Sequence, residues 1–546
     1  MKRKAVAAVL TAVMVASMFT GCGSDKGSSS AKSASAASAA SAANDTVDED
    51  GKVNGIMYQE GLPLVDEGDY TFSIFCDDSS ESGEFIMLDE FKKQTNVDVD
   101  LKIYPYETAT ERLNLDLNSG DYADVIGGWT LSDNAILTYG VNQGVFIPLE
   151  DYFEKYCPNI SAILDLPGVR EKMTAPDGHI YTIPYVCTDT TVGYSPYINT
   201  KWLENVGMSM PTTTDEFEAV LKAFKEQDAN GNGDASDEIP FSTDPNNKHI
   251  EAMAGYFGLP MNTLGIAIQN EKVVYGGVSD TYREFLSWFH KLYAEGLVDV
   301  ELYTQDSSTW EGKGNQDLYG VSIAYGSNEF TGIPAAEERG DFDSMPVLNT
   351  DKDGIWLRDT EGFSVYRTQA VITNKAEHPE IICRWFDNAF ALENGIGCNR
   401  GPVGVIVNKE DDGYHAIDTT TLSEEDQEKY SWGNLWPQSL PKYLPVDFEF
   451  VEEHPMYDEK KATEEAYEAN LTKEIIPSYW IDLDKIDTFS DTNTAIKDFF
   501  EQQQAQFVCG ELDIDNDADW QAYVDGMYSL GLEDWVATQG IEEIAK

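Results

Sequence analysis

The stretch from Tyr70 to Tyr104 constrains the fold more than any other part of this 546-residue chain. Tyr70 to Phe75 (YTFSIF) is a short apolar strand. Gly83 to Gln94 carries Phe85, Leu88 and Phe91 at helical spacing, and Val97 to Tyr104 (VDVDLKIY) alternates as a second strand. Strand, helix, strand opens an α/β sheet. Leu113 to Leu117 continues a helix that ends near Ser119 and Gly120, and Asp121 to Trp129 (DYADVIGGW) adds a strand with a Gly-Gly bend at its end. Asp215 to Gln227 puts Phe217, Val220, Leu221 and Phe224 on one helical face, entered through the capping hydroxyls of Pro211 to Asp215. Thr281 to Glu295 and Pro379 to Leu392 are amphipathic in the same way. Tyr319 to Tyr325 and Gly362 to Thr373 are β-like. The fold class is α/β.

The N-terminus addresses the compartment. Lys2, Arg3 and Lys4 precede an apolar run, Ala5 to Phe19, that is too short to span a bilayer comfortably. It closes with Phe19-Thr20-Gly21-Cys22, which resembles a bacterial lipobox; an ordinary signal peptide with an incidental cysteine is the alternative. The lipobox reading makes residues 1–22 a signal and Cys22 a lipidated N-terminus, anchored to the outer face of a bacterial cell membrane. The Ser/Ala-rich segment that follows holds little apolar surface to offset its ordering entropy, so a flexible stalk is expected over 23–67.

The remaining body is long enough for two domains or more. A formal net charge of -60 argues against nucleic acid and anionic lipid as partners, since both are polyanions. It also makes an acidic sugar a poor first guess for a ligand. Cys76, Cys157, Cys187, Cys383, Cys398 and Cys509 form no CxxC and read as mostly buried free thiols.

One loop, Asp228 to Phe241 (DANGNGDASDEIPF), has the first half of a calcium-loop pattern. Asp228, Asn230 and Asn232 stand at positions one, three and five, Gly233 permits the turn at six, and Asp234 at seven offers its carbonyl. Hard oxygen donors favour Ca²⁺. Position twelve is Ile239 and Pro240 blocks an exiting helix, so the ion is expected to be structural. The alternating carboxylates at Asp513 to Asp519 and the Asn349 to Gly354 turn are not expected to hold metal.

Several motifs occur together in order: the lipobox and stalk, SGDYADVIGGW (Ser119 to Trp129), GVFIPLEDYFEKYCPNI (Gly144 to Ile160), PDGHIYTIPYV (Pro176 to Val186), YINTKWLENVGMSMPTTTDEFEAVLKAF (Tyr197 to Phe224) and the acidic loop. The chain resembles extracellular solute-binding proteins of family 1, the sugar-binding lipoproteins of ABC importers, and within them the long calcium-containing subgroup of alginate-oligosaccharide binders. The resemblance implies a two-lobed type II periplasmic-binding-protein fold with crossing hinge strands, Pro176 to Tyr185 carrying the first crossing. It implies lobe 1 at 68–184 plus about 362–440, and lobe 2 at 185–361 plus about 441–546. It makes Asp237 and Glu238 the closing carboxylates of the cation loop, with the bidentate one left open. It also implies capture of an oligosaccharide by lobe closure, delivery to ABC permease subunits, and a monomer.

Sugars are held by aromatic faces and by planar polar groups matched to hydroxyl pairs. Trp129, at the end of its strand, and Trp356 are the leading ligand candidates. Asp77 and Asp78 after the first strand, Tyr185 at the hinge, Trp310, Tyr325, Arg358 and Trp436 complete the set, while Trp202, Trp288 and Trp385 read as core. No HExxH, GxSxG, Walker loop or GxGxxG is present, but a glycosidase needs only two carboxylates, which 97 acidic residues leave open; it is the resemblance that implies no enzyme. A secreted carbohydrate-degrading enzyme and a peptide-binding importer component are the competing readings.

Overall fold

Parallel pairing of Tyr70–Asp77 with Val97–Tyr104 organises the N-terminal half. The computed structural model describes residues 45–78, 84–245, 248–332, 341–417, 419–445, 448, 450–451 and 455–545. Tyr70–Asp77 pairs in parallel with Val97–Tyr104, from Tyr70↔Val97 to Asp77↔Tyr104, and on its other side with Val125–Gly127. Ala370–Ile372 closes this first sheet antiparallel to Val125–Gly127. A second four-stranded sheet runs in the order Phe342–Ser344, Ser195–Asn199, Tyr319–Ala324, Ile239–Thr243. Each sheet has its own apolar core, with Trp385 and Trp436 in the first and Trp202 and Trp356 in the second. Two lobes of mixed α/β structure result, as expected.

Between the sheets lies a two-stranded antiparallel ladder, Tyr185–Thr188 with Phe363–Tyr366. The chain leaves the first lobe through Ile183, whose N–H donates to the Ala370 carbonyl, and enters the ladder at Tyr185. The expected single β stretch from Gly362 to Thr373 is therefore two strands in two different sheets. The break falls at Arg367–Gln369, where the chain turns from the ladder into the first lobe.

Two expectations need correction. Residues 45–67 are not a loose tether. Lys52–Val53 and Met57–Tyr58 form a hairpin, and Val53, Met57, Leu64 and Val65 are buried in the first lobe's core. The Arg384 guanidinium fastens the segment through the carbonyls of Tyr58 and Gly61. Four apolar side chains within thirteen residues outweigh the Ser/Ala composition upstream. Nor does the whole C-terminal part belong to the second lobe. After Leu471–Ile475 pairs with Trp356–Arg358, the chain crosses back. Arg367 lies 4.2 Å over the Trp480 ring and donates to the Tyr479 carbonyl, and the Trp480 indole N–H donates to the Lys172 carbonyl. The helix Ile486–Cys509 then returns, burying Phe500 and Phe507 in the second core.

Local signals hold where packing agrees with them. The helix at 215–227 forms as Thr214–Glu226, capped by Thr213 Oγ1, which accepts from Glu216 N, and by the Glu216 carboxylate, which accepts from Thr212 N. The helix expected over Pro379 to Leu392 stops at Ala389, and a second runs Leu392–Arg400. Of the six described cysteines, Cys76, Cys157, Cys383 and Cys398 are buried, Cys187 is half-buried and Cys509 exposed, and all are free thiols.

Glu251 is buried in the second core, one oxygen accepting from Gln504 Nε2 at 2.6 Å and the other without a partner. Burial pushes its carboxyl up to about 7. Between the ordinary carboxylate range and that value the folded state keeps a proton the unfolded chain has lost, so stability falls as pH rises. Urea unfolding of Glu251→Gln against the wild type should show the variant gaining relative stability from pH 5 to pH 8. Parallel pH profiles would contradict this.

Candidate functional site

Period-two alternation along the crossing ladder sets out the site. Tyr185 faces Tyr366 across the strands, ring centroids 5.4 Å apart, and Cys187 faces Ser364. Asp189 follows on the same face. Its carboxylate accepts from Ser364 Oγ at 2.5 Å, Tyr366 OH at 3.2 Å, Tyr325 OH at 3.3 Å and its neighbour Thr190 N at 2.8 Å. One carboxylate thus ties the crossing strands to Tyr325, at the end of a second-lobe strand.

The first lobe contributes Trp129. Asp77, fully buried at the end of its strand, accepts from Trp129 N at 3.0 Å and Thr130 N at 2.6 Å. Gly128, at φ +131°, lies so close that a side chain there would collide with the Asp77 carboxylate. This turn leaves Trp129 46% exposed, its ring edge-on to Tyr366 at 5.2 Å and 6.4 Å from Tyr185. Beside it, Asp78 accepts from Gln438 N, and the Gln438 side chain donates to the Trp432 carbonyl. Trp432 is 52% exposed, with the buried Lys442 ammonium 5.0 Å from its ring.

The second lobe answers with aromatics. Tyr194 stacks on His249 at 3.8 Å and meets Tyr325 edge-on at 6.0 Å. Burial drives the His249 imidazole down to about 4, so it is neutral at pH 7. Lys460 stands 3.7 Å over the Tyr325 ring and donates to the Gly193 carbonyl, its ammonium lowered to about 8 by burial. Burial raises Glu329 to about 7 and Asp359 to about 6. Aromatic faces and hydroxyls from both lobes around one carboxylate suit a flat-faced, hydroxyl-rich molecule.

Of the residues singled out in the sequence, Trp129, Tyr185 and Tyr325 meet here. Asp77 and Asp78 are buried beside the site and hold its turns. The other four are packing or bracing residues. Trp356 lies between Tyr256 and Tyr467, and Trp436 stacks on Trp385 at 5.7 Å. Trp310 is buried and donates to Ser322 Oγ, and Arg358 donates to the Thr472 carbonyl. Ser364, Tyr366, Asp189, Tyr194, His249, Lys460 and Trp432 were missed. The FSVY alternation at Phe363–Tyr366 was the available signal, but its register against YVCT is a long-range fact. A separate surface groove of about 560 Å³, lined in part by Ile268, Asn270, Glu271 and Thr472, shares no residue with this site.

The acidic loop from Asp228 folds on its own side chains. Asp228 Oδ2 accepts from Gly233 N, Asn230 Oδ1 from Asn232 N, Asn232 Oδ1 from Asp234 N, and Glu238 Oε1 from Ala229 N. Asp237 accepts from the Asn230 and Asn232 side-chain amides. The second oxygens, Asp228 Oδ1 and Glu238 Oε2, are buried without a partner. Two orphaned carboxylate oxygens in one oxygen-rich loop fit a hard cation.

The sequence profile of the bacterial extracellular solute-binding proteins matches residues 78–395, and the chain belongs to that family. It is 33% identical over 335 residues to the fructooligosaccharide ABC transporter substrate-binding protein FusA of Streptococcus pneumoniae, covering 59% of this chain and 61% of that one. With the polygalacturonan/rhamnogalacturonan-binding protein YtcQ of Bacillus subtilis it shares 23% identity over 43% of this chain and 46% of the relative. The chain thus spans about three fifths or less of these curated relatives. A solved structure of a FusA EF-hand mutant in complex with fructo-nystose superposes with a TM-score of 0.75 at 27% identity, covering 86% of this chain and 98% of that one.

Because Asp77 serves two backbone N–H groups, Asp77→Ala should cost about 2–3 kcal/mol of stability in urea unfolding. An unchanged midpoint would show that the carboxylate does not hold the turn.

Proposed function

We propose that this protein is the substrate-binding component of an ABC importer and captures an oligosaccharide between its lobes at the crossing ladder. The observation that carries the reading is the convergence of Trp129, Tyr185 and Tyr366 with Tyr325 and Tyr194 around Asp189. A sugar touching both lobes binds the shut form better than the open one and shifts the population toward closure, which a permease can read. The resemblance to FusA supports both the importer role and the ligand class. Binding proceeds without turnover, and the protein acts as a monomer. In this reading 45–184 with about 362–440 form one lobe and 185–361 with about 441–546 the other, apart from the crossing at Tyr479 and Trp480.

Cys22 lies outside the described residues, and we assign it the lipid anchor that holds the protein on the outside of the cell membrane. No described helix is long and apolar enough to cross a membrane. The Asp228 loop is assigned a structural Ca²⁺. Asp228, Asn230, Asn232 and the Asp234 carbonyl would hold it, and Glu238 rather than Asp237 would close the site, because Glu238 has the orphaned oxygen. The EF-hand named for the FusA structure supports this assignment. The ion would neutralise carboxylates that otherwise face one another.

Trp129→Ala should weaken kestose or nystose binding in calorimetry by roughly tenfold, about 1.4 kcal/mol, and leave the melting point of the free protein unmoved. Unaltered affinity would remove Trp129 from the site. A calcium chelator should lower the melting point of the wild type, with recovery on adding Ca²⁺, and Glu238→Gln should abolish that response. A chelator-insensitive wild type would leave the loop without its ion.

A further inference from the structure

We infer that the cleft selects uncharged oligosaccharides and excludes uronate or sulfated ones, because the three hydroxyls gathered on Asp189 present only acceptors to a ligand and, among the described residues, the cations beside them are engaged within the protein. This rests on the reading that an oligosaccharide is captured there.

The acceptor bias follows from Asp189. Ser364, Tyr366 and Tyr325 all give their hydroxyl hydrogens to its carboxylate, so each keeps only oxygen lone pairs for a ligand. A sugar hydroxyl can donate to those lone pairs. A ligand carboxylate or sulfate is acceptor-only and finds no donor in this group.

Cations do not reverse the bias. Capture of an anion calls for a guanidinium or ammonium with open N–H groups. The buried Lys460 ammonium donates to the Gly193 carbonyl and sits over the Tyr325 ring, and its charge is answered by Glu329, Glu459, Asp189 and Asp359 around it. Lys442 is buried and donates to Gln438 Oε1 at 2.6 Å beneath Trp432. Arg367 makes a two-pronged bridge to Asp133 at 2.8 and 2.5 Å, donates to the Tyr479 carbonyl and covers Trp480. Lys248, next to His249, donates to the Pro245 carbonyl. The local field is therefore negative, in keeping with the whole chain, and an anionic sugar meets like charge on entry. Similarity to both a fructooligosaccharide binder and a polygalacturonan binder leaves that choice open, and the cleft chemistry decides it.

The test is calorimetry on the full chain with two matched sets. The neutral set is kestose, nystose, maltotetraose, cellotetraose and α-1,4-galactotetraose. The anionic set is tetragalacturonate, which is the last of these oxidised at each C6, and tetramannuronate. The expected result is binding by at least one neutral sugar, a best anionic ligand at least 100-fold weaker, and a neutral affinity that changes less than twofold between 20 and 500 mM NaCl. An anionic tetramer within 100-fold of the best neutral sugar overturns the charge selection and leaves the oligosaccharide reading standing. Saturable binding of a peptide with no response to either sugar set overturns the reading itself, and the selection with it.

Discussion

The two lobes depend on the short antiparallel ladder between Tyr185–Thr188 and Phe363–Tyr366. Four residues on each side give too few hydrogen bonds and too little buried area to be stable alone. The ladder persists because its ends are anchored, by Ile183 in the first sheet and by the Asp189 carboxylate with its four donors at the second. A two-stranded connection between two packed cores is a natural hinge. Each core resists deformation, while a twisted ribbon bends at small cost. The groups that report its bending, Tyr185, Tyr366 and Asp189, are also those a ligand would touch.

Outside the ladder the chain is firmly fastened. The 45–67 hairpin and Arg384 extend the first core, and the Arg367–Trp480 contact ties the last crossing to that lobe. The helix holding Lys460 braces the second-lobe turns from behind. Glu459 accepts from Ser327 and Glu464 from Thr191, while Lys460 itself grips Gly193. Rigid walls with a flexible joint keep the aromatic faces oriented before a ligand arrives, which lowers the ordering cost of binding.

How much of this could be read in advance varied with the range of the interaction. The strand at Val97–Tyr104 formed as expected, and the capped helix at Thr214–Glu226 within a residue, because alternation and capping act over a few residues. The fold class and the ordered motifs were legible for the same reason. The site was half legible. Trp129 stays exposed because Gly128 and Asp77 fix its turn, a geometry signalled by the Gly-Gly bend. Trp436 and Trp432 lie four residues apart in one loop, and nothing local says which turns inward. Burial against Trp385 and Phe91 settles it. Trp356 likewise turns inward for a reason no local pattern carries, since its partners Tyr256 and Tyr467 are about a hundred residues away on either side. Asp189 carried no motif at all. Its role emerges only when three hydroxyls from two distant strands arrive around it.

Hydrogen exchange with and without a saturating neutral oligosaccharide tests the central claim most directly, because it reads which backbone segments a ligand locks. Binding at the crossing ladder predicts slowed exchange over 185–194, 325–329 and 363–369, from both lobes at once. Protection confined to the groove residues 268–271 and 470–474, with the ladder unaffected, would contradict it.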